Sequence, residues 1–238
     1  MLWYKAWLET RVRFLICLLG MVALCSFIVY HGDKEAMPYT KLNYYYFVLR
    51  SGHAMLCTMW IAAVTLLLMG GILREKAVGT AGFTLALPVS RARLMRVRIG
   101  VALLQAVALA VIPWAAMWIT ATTTGKVDAV GQPAFYLSLL LGGGMVFFGM
   151  ALLTSSLVEG EYTAPVVSFG VMLLMTIVLG EGSLREYSPF GFINGLAWFD
   201  RSTGLLKGSI PWPQIAIYLA ISSLLVAISM LAVARREF

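Results

Sequence analysis

The stretch REKAVGTAGFTLALPVSRARLMRVR, residues 74–98, carries six of the chain's eighteen lysines and arginines. It lies between two long uncharged runs, residues 54–73 and 99–124. So basic a connection between such apolar neighbours reads as a loop joining two membrane spans. Of the 238 residues, 61% are hydrophobic and only 12% charged, against about 25% charged in an ordinary soluble domain. Half the usual charge does not cover a water-facing surface, so lipid is the expected solvent. The formal net charge of +7 then has an explanation in membrane topology, and nucleic acid is not an expected partner.

Uncharged runs of about 17–25 residues can cross a hydrocarbon core about 30 Å thick as helices. Helices are preferred there because they satisfy every backbone polar group internally. Six such runs are present: residues 14–30, 54–73, 99–124, 134–158, 162–180 and 210–234. The chain therefore reads as an all-α membrane protein with six transmembrane helices in one transmembrane domain, residues 1–238. Thr120 to Thr124 should fray into the interface, and the sequence Ile210-Pro211-Trp212-Pro213 makes a weak start for the last span. Pro113 should kink the third helix, whereas Pro165 falls near the start of the fifth, where proline is tolerated. The basic N-terminus resembles that of a signal peptide. Its apolar run ends SFIVYHGD without a small-x-small cleavage pattern, so an uncleaved first span is expected.

Six spans put both termini on one side. If that side is the cytoplasm, the inner segments hold eleven lysines and arginines and the outer ones seven. The steep local excess in residues 74–98 places both termini inside by the positive-inside rule. Ahead of the first span, Trp3, Trp7 and Phe14 recur on one helical face. Lys5, Glu9 and Arg13 form a four-residue ladder on another, with Glu9 ahead of Arg13 in the favourable order. The pattern predicts an amphipathic N-terminal interfacial helix with its tryptophans at headgroup level; a basic flank of the first span is the plainer alternative. Two outer segments are longer than tight turns. Residues 31–53 include the aromatic cluster NYYYF, suited to the outer interface. Residues 181–209 include PFGFINGLAWF, which as a helix reaches only about 17 Å. That is too short to span, leaving a short outer re-entrant segment or an amphipathic surface loop.

Residues for chemistry are sparse. Cys17, Cys25 and Cys57 fall in apolar runs, where a thiol behaves as a small hydrophobe. His31 and His53 flank a predicted loop with no third metal ligand nearby. No charge lies within a predicted span, which argues against a proton relay. An intramembrane enzyme would have only Gln105, Asn194 and scattered Ser and Thr to draw on. No catalytic, cofactor-binding or metal-binding residue is expected in this chain.

Within the opening stretch, Pro88 biases Leu87 away from helix, so a short helix should end there. Ser90 can then cap the third span, whose first turns carry Arg91, Arg93, Arg96 and Arg98. These arginines can snorkel to anionic headgroups and, with Trp3 and Trp7, make up the expected membrane-interface residues. Phe83, Leu85 and Leu87 need an apolar partner, and Gly79 and Gly82 permit close approach of another backbone.

These residues carry a resemblance. REKAVGTAGFTLALPVSRARL resembles the inner-loop signature of the type-2 ABC permease family, in which arginine–glutamate–lysine, glycine–threonine and leucine–proline–x–serine–arginine connect spans two and three. The amphipathic start, the six spans, the long outer segment before the last span and the basic ending ARREF resemble that architecture along the whole chain. The resemblance implies that the loop is a cytoplasmic coupling helix seated in a groove of a separate ATP-binding subunit. Glu75, Lys76, Gly79, Thr80, Leu87 and Pro88 would lie in or beside that contact, with Glu159 and Glu161 in a second, smaller inner contact. The 189–199 segment would be the outer re-entrant region. No G-x-x-x-x-G-K-[ST] phosphate loop occurs, so ATP and magnesium would belong to the partner subunit, expected in two copies. A second permease, identical or homologous, would complete the unit.

The expected protein is thus not an enzyme itself but the permease of an exporter of lipophilic or amphipathic cargo. Its expected place is the plasma or inner membrane of a prokaryotic cell, in contact with membrane lipid. An ABC-linked membrane anchor or assembly factor that carries no small molecule is the main alternative; an intramembrane enzyme is a more distant one. The fourth span's Gly142, Gly143, Gly144, Gly149 and Ala151 suit close helix packing, either inside the subunit or at a dimer face.

Overall fold

The computed structural model describes residues 2–35, 52–68, 90–125, 132–158, 163–179, 188–195, 197–198, 200 and 206–235. These residues form seven helices: α1 (Leu2–Glu35), α2 (His53–Leu68), α3 (Arg91–Thr123), α4 (Pro133–Leu157), α5 (Thr163–Val178), α6 (Pro189–Ile193) and α7 (Trp212–Arg235). The described structure is all-α. Four helices, α1, α3, α4 and α7, are long and apolar enough to cross a membrane, and α2 and α5 are shorter apolar helices. Sixteen residues each carry α2 and α5 through about 24 Å at 1.5 Å per residue.

Side-chain contacts fix the directions of the helices. His53 of α2 meets Tyr136 of α4, and Trp60, two turns on, lies against Gly144, so α2 and α4 run parallel. Ser222 of α7 donates to the Met145 carbonyl of α4 at 2.6 Å, and Ser229 to the Leu152 carbonyl at 3.3 Å. Both steps are seven residues, so α7 is parallel to α4 as well. Trp3 over Gly100 and Thr10 beside Gln105 make α1 parallel to α3. Between the two sets, the Trp60 indole donates to the Ala106 carbonyl at 2.8 Å, while His53 meets Trp114. There the numbering runs in opposite senses, so α2 and α3 are antiparallel. This alternation is the one a six-span chain requires.

The exposure pattern also fits a lipid solvent. Large apolar residues cover the outside, among them Leu19 and Phe27 on α1, Leu174 on α5 and Leu224 on α7. Gln105, Ser168, Ser222 and Ser229 face inward. A water-soluble bundle would show the reverse.

Helix α4 is the centre: 67% of its apolar stretch is buried, against 22% in α1 and α7. Its three consecutive glycines make this possible. A Cβ on Gly142 would stand 2.8 Å from Ile215 of α7, one on Gly143 2.6 Å from Phe192 of α6, and one on Gly144 2.8 Å from Trp60 of α2. Successive residues of a helix point about 100° apart, so each glycine admits a different neighbour. Gly149 repeats the close approach one turn and a half later, with Leu225 and the Ser222 carbonyl near 3 Å. Among the two roles expected for these glycines, packing inside the subunit is the one they fill here.

Two expectations need correction. The N-terminal stretch is not a separate interfacial helix: α1 runs unbroken from Leu2 to Glu35, and its first turns stand along α3. Helix α3 begins at Arg91 as the Ser90 cap predicts, with the Ser90 side chain accepting from the Arg93 amide, eight residues ahead of the uncharged 99–124 run. Its far end does not fray, because Thr120 and Thr124 each return their hydroxyl to the carbonyl four residues back. Gly125, at φ +71, then ends the run. The helix continues through Pro113.

Candidate functional site

One end of the bundle gathers the N-termini of α1, α3 and α5 and the C-termini of α2, α4 and α7, as the alternating directions require. The ends that bound residues 69–89, between α2 and α3, and residues 159–162, between α4 and α5, therefore lie together. Glu75, Lys76, Gly79, Thr80, Leu87 and Pro88 fall outside the described residues, as do Glu159 and Glu161. What is described is the platform from which both segments leave. Ala6, Glu9 and Thr10 of α1, Leu67 and Leu68 of α2, Met95, Arg98 and Ala102 of α3, and Leu152 and Ser155 of α4 are among the residues lining a partly open cavity of about 50 Å³ there.

The platform joins α1 to α3 by a ladder of matched contacts. The Trp3 ring covers Gly100, where a Cβ would be 2.7 Å away. Ala6 packs against Val97 and Val101. Glu9 Oε2 accepts from the Arg98 guanidinium at 3.1 Å, and its other oxygen lies 3.8 Å from Lys5 Nζ. Buried Gln105 donates to the Thr10 hydroxyl at 2.8 Å, and Arg13 reaches the Leu66 carbonyl near the end of α2 at 3.5 Å. Of the charges that kept residues 2–13 out of the predicted span, Glu9 is thus met by α3 and Arg13 by α2.

Of the expected membrane-interface residues, Arg93 and Arg96 are exposed, and Trp3 and Trp7 are exposed at 53% and 36%. Trp7 meets Phe14 edge-on at 5.6 Å. The Arg91 side chain lies outside the described set. Arg98 departs from the expectation: it turns inward to Glu9 and retains 13% exposure. With Arg98 largely shielded and Glu9 exposed, the pair holds α1 on α3. Replacing Arg98 by alanine is expected to lower stability by about 2 kcal/mol, with most of that loss coupled to Glu9. A thermal double-mutant cycle with Glu9→Gln checks this; coupling under about 0.5 kcal/mol would make it an ordinary surface pair.

At the opposite end, the described residues 189–195 and 197–198 of the predicted 189–199 segment form a tucked-in turn. The Ser188 side chain caps α6 by accepting from the Gly191 amide at 3.3 Å, and Gly195, at φ +65, ends it. Phe192 and Ile193 rest on Gly143, ten residues or about 15 Å along α4 from Pro133. Phe192 also meets Trp198 at 5.3 Å and Tyr218 of α7 at 4.7 Å. Just beyond the turn, Gln132, ahead of α4, holds Leu206 by both backbone groups, at 2.8 and 3.1 Å.

His53 was not singled out by the sequence. Its ring is buried against the stacked pair of Trp114, at 5.8 Å, and Tyr136, at 4.5 Å. Its Nε2 donates to the Ile193 carbonyl of α6 at 2.7 Å, since a carbonyl can only accept. The Cys57 thiol is directed to the same carbonyl at 3.7 Å. One signal could have found it: His53, Cys57, Trp60, Val64 and Leu67 follow a 4-3-4-3 spacing that marks one buried helix face. Among the described residues no group of three or more His, Cys, Asp or Glu is placed to hold a metal ion. No protein-family model and no curated protein matches this chain.

Proposed function

We propose that this chain is the transmembrane permease subunit of an ABC-type exporter, moving a lipophilic or amphipathic substrate out of the cytoplasm. The ATP and magnesium act in a separate ATP-binding subunit, present in two copies, and a second permease completes the unit. The observation that carries this reading is the inner connection REKAVGTAGFTLALP, set between α2 and α3 at the bundle end that also bounds residues 159–162. A docking segment there would pull on α3, and the Trp3–Gly100, Glu9–Arg98 and Thr10–Gln105 contacts make α1 move with it. Nucleotide closure of the two ATPases supplies the bias only through its higher affinity for the closed state.

The test is disruptive substitution in the docking segment, Gly79→Val and Leu87→Asp, with membrane insertion checked independently. Both are expected to reduce co-purification of the ATPase and its stimulation by the permease by about tenfold or more, as loss of a central interface contact would. Assembly and stimulated ATPase unchanged in both variants would overturn the docking role.

A further inference from the structure

We propose that the α6 turn is a displaceable plug in the end of the bundle opposite the docking segment, and that His53 is the latch that holds it there. The turn is self-contained. Ser188 caps it, Asn194 returns its side-chain amide to the Phe190 carbonyl at 2.7 Å, and Gly195 closes it. It can therefore leave as a unit, without first unravelling. Its seat is made for it, because Gly143 lacks the Cβ that would collide with both Phe192 and Ile193. The seat is also deep, since the turn lies against the central helix.

The His53 bond joins this plug to the frame. The Ile193 carbonyl lies at the C-terminal end of a five-residue helix, where carbonyls lack intrahelical donors. It is buried beside His53 and Cys57, and the His53 N–H satisfies it at 2.7 Å. Removal of that donor leaves the buried carbonyl only the weak Cys57 thiol donor at 3.7 Å, and it gains water when the turn moves outward. Directly beneath sits Cys57, fully buried. Withdrawal of the plug uncovers that thiol and opens the bundle interior on this side. As an outward exit for cargo the plug rests on the exporter reading; as a latched element it does not.

The experiment uses the full chain in lipid nanodiscs with Cys57 as the single thiol, after Cys17→Ala and Cys25→Ala. Alkylation of Cys57 by a membrane-impermeant maleimide is followed over time. With His53 present the reaction is expected to be slow. His53→Phe keeps the ring packing with Trp114 and Tyr136 but has no donor, and should react about tenfold faster. His53→Gln restores a side-chain N–H donor and should stay within about twofold of the parent. A parallel chain with Cys25 as the single thiol should be unaffected by His53→Phe.

Equal rates in the parent, Phe and Gln chains would overturn the latch. So would fast labelling in the parent, or equally fast labelling of the Phe and Gln variants. A matching rise at Cys25 would mean that the whole bundle had loosened, and it too would overturn the proposal. If His53→Phe fails to fold, His53→Asn, too short to reach Ile193, carries the same comparison: fast supports, slow overturns. None of these outcomes depends on an ATPase, so failure here and failure of the exporter reading are separable.

Discussion

Replacing Trp60 by alanine is expected to destabilise the protein by about 3–5 kcal/mol, the range for deleting a large buried aromatic. Trp60 is fully buried, donates its indole N–H to the Ala106 carbonyl at 2.8 Å and lies against Gly144. It thus ties α2 to both α3 and α4. In lipid no hydrophobic force draws helices together, so packing and interhelical hydrogen bonds carry the association. Alanine removes both at one point. Trp60→Phe keeps most of the packing and should cost about 1–2 kcal/mol. The check is thermal unfolding in detergent, read by exposure of buried Cys25 and Cys57 to a thiol-reactive dye. The alanine variant should unfold about 10 °C or more below the parent; a shift no larger than that of the phenylalanine variant would remove Trp60 from the centre of the bundle.

The second large effect is expected at Gly144. A Cβ there would stand 2.8 Å from one Trp60 ring atom and 3.1 Å from the next. The obstacle is a rigid ring held by its hydrogen bond, not the loose end of a flexible chain. Gly144→Val should therefore cost about 3 kcal/mol, at the upper end of the usual range for overpacking. Because the clash is with Trp60 itself, the effects should not add. Valine at 144 with alanine at 60 should be more stable than the sum of the single losses predicts, by about 1 kcal/mol or more. Strict additivity in the same thermal assay would show that the two side chains do not meet.

The apolar helices were readable because a helix in lipid must satisfy its own backbone, a demand that writes length and apolarity into the chain; four are long enough to cross a membrane, and α2 and α5 are shorter. Ser90 as a cap was readable for the same local reason: its oxygen needs only the Arg93 amide three residues on. The start of α1 was misread because charge was taken to exclude residues from a span. Lys5, Glu9 and Arg13 belong to α1 since Arg98 and the Leu66 carbonyl receive Glu9 and Arg13, and those partners are distant in sequence. Gly142 to Gly144 announced close packing, but their three different neighbours depend on where α2, α6 and α7 finally stand.

His53 shows the same division. Read along the chain, it is a histidine beside a loop, with no ligand set. Folded, it donates to a carbonyl 140 residues away. Its burial was legible in the face it shares with Cys57, Trp60, Val64 and Leu67; its partner was not. For the proposed docking segment the balance is reversed. Glu75 to Pro88 are legible only as sequence, while the structure describes the platform on either side of them.

The measurement that bears most directly on the central claim is a gentle-detergent pull-down of the tagged chain, with mass spectrometry of what co-purifies. The permease reading predicts a soluble ATPase with a phosphate loop in stoichiometric amount, two copies for each pair of six-span subunits. A clean, lone membrane protein with no ATPase in any mild detergent would contradict it.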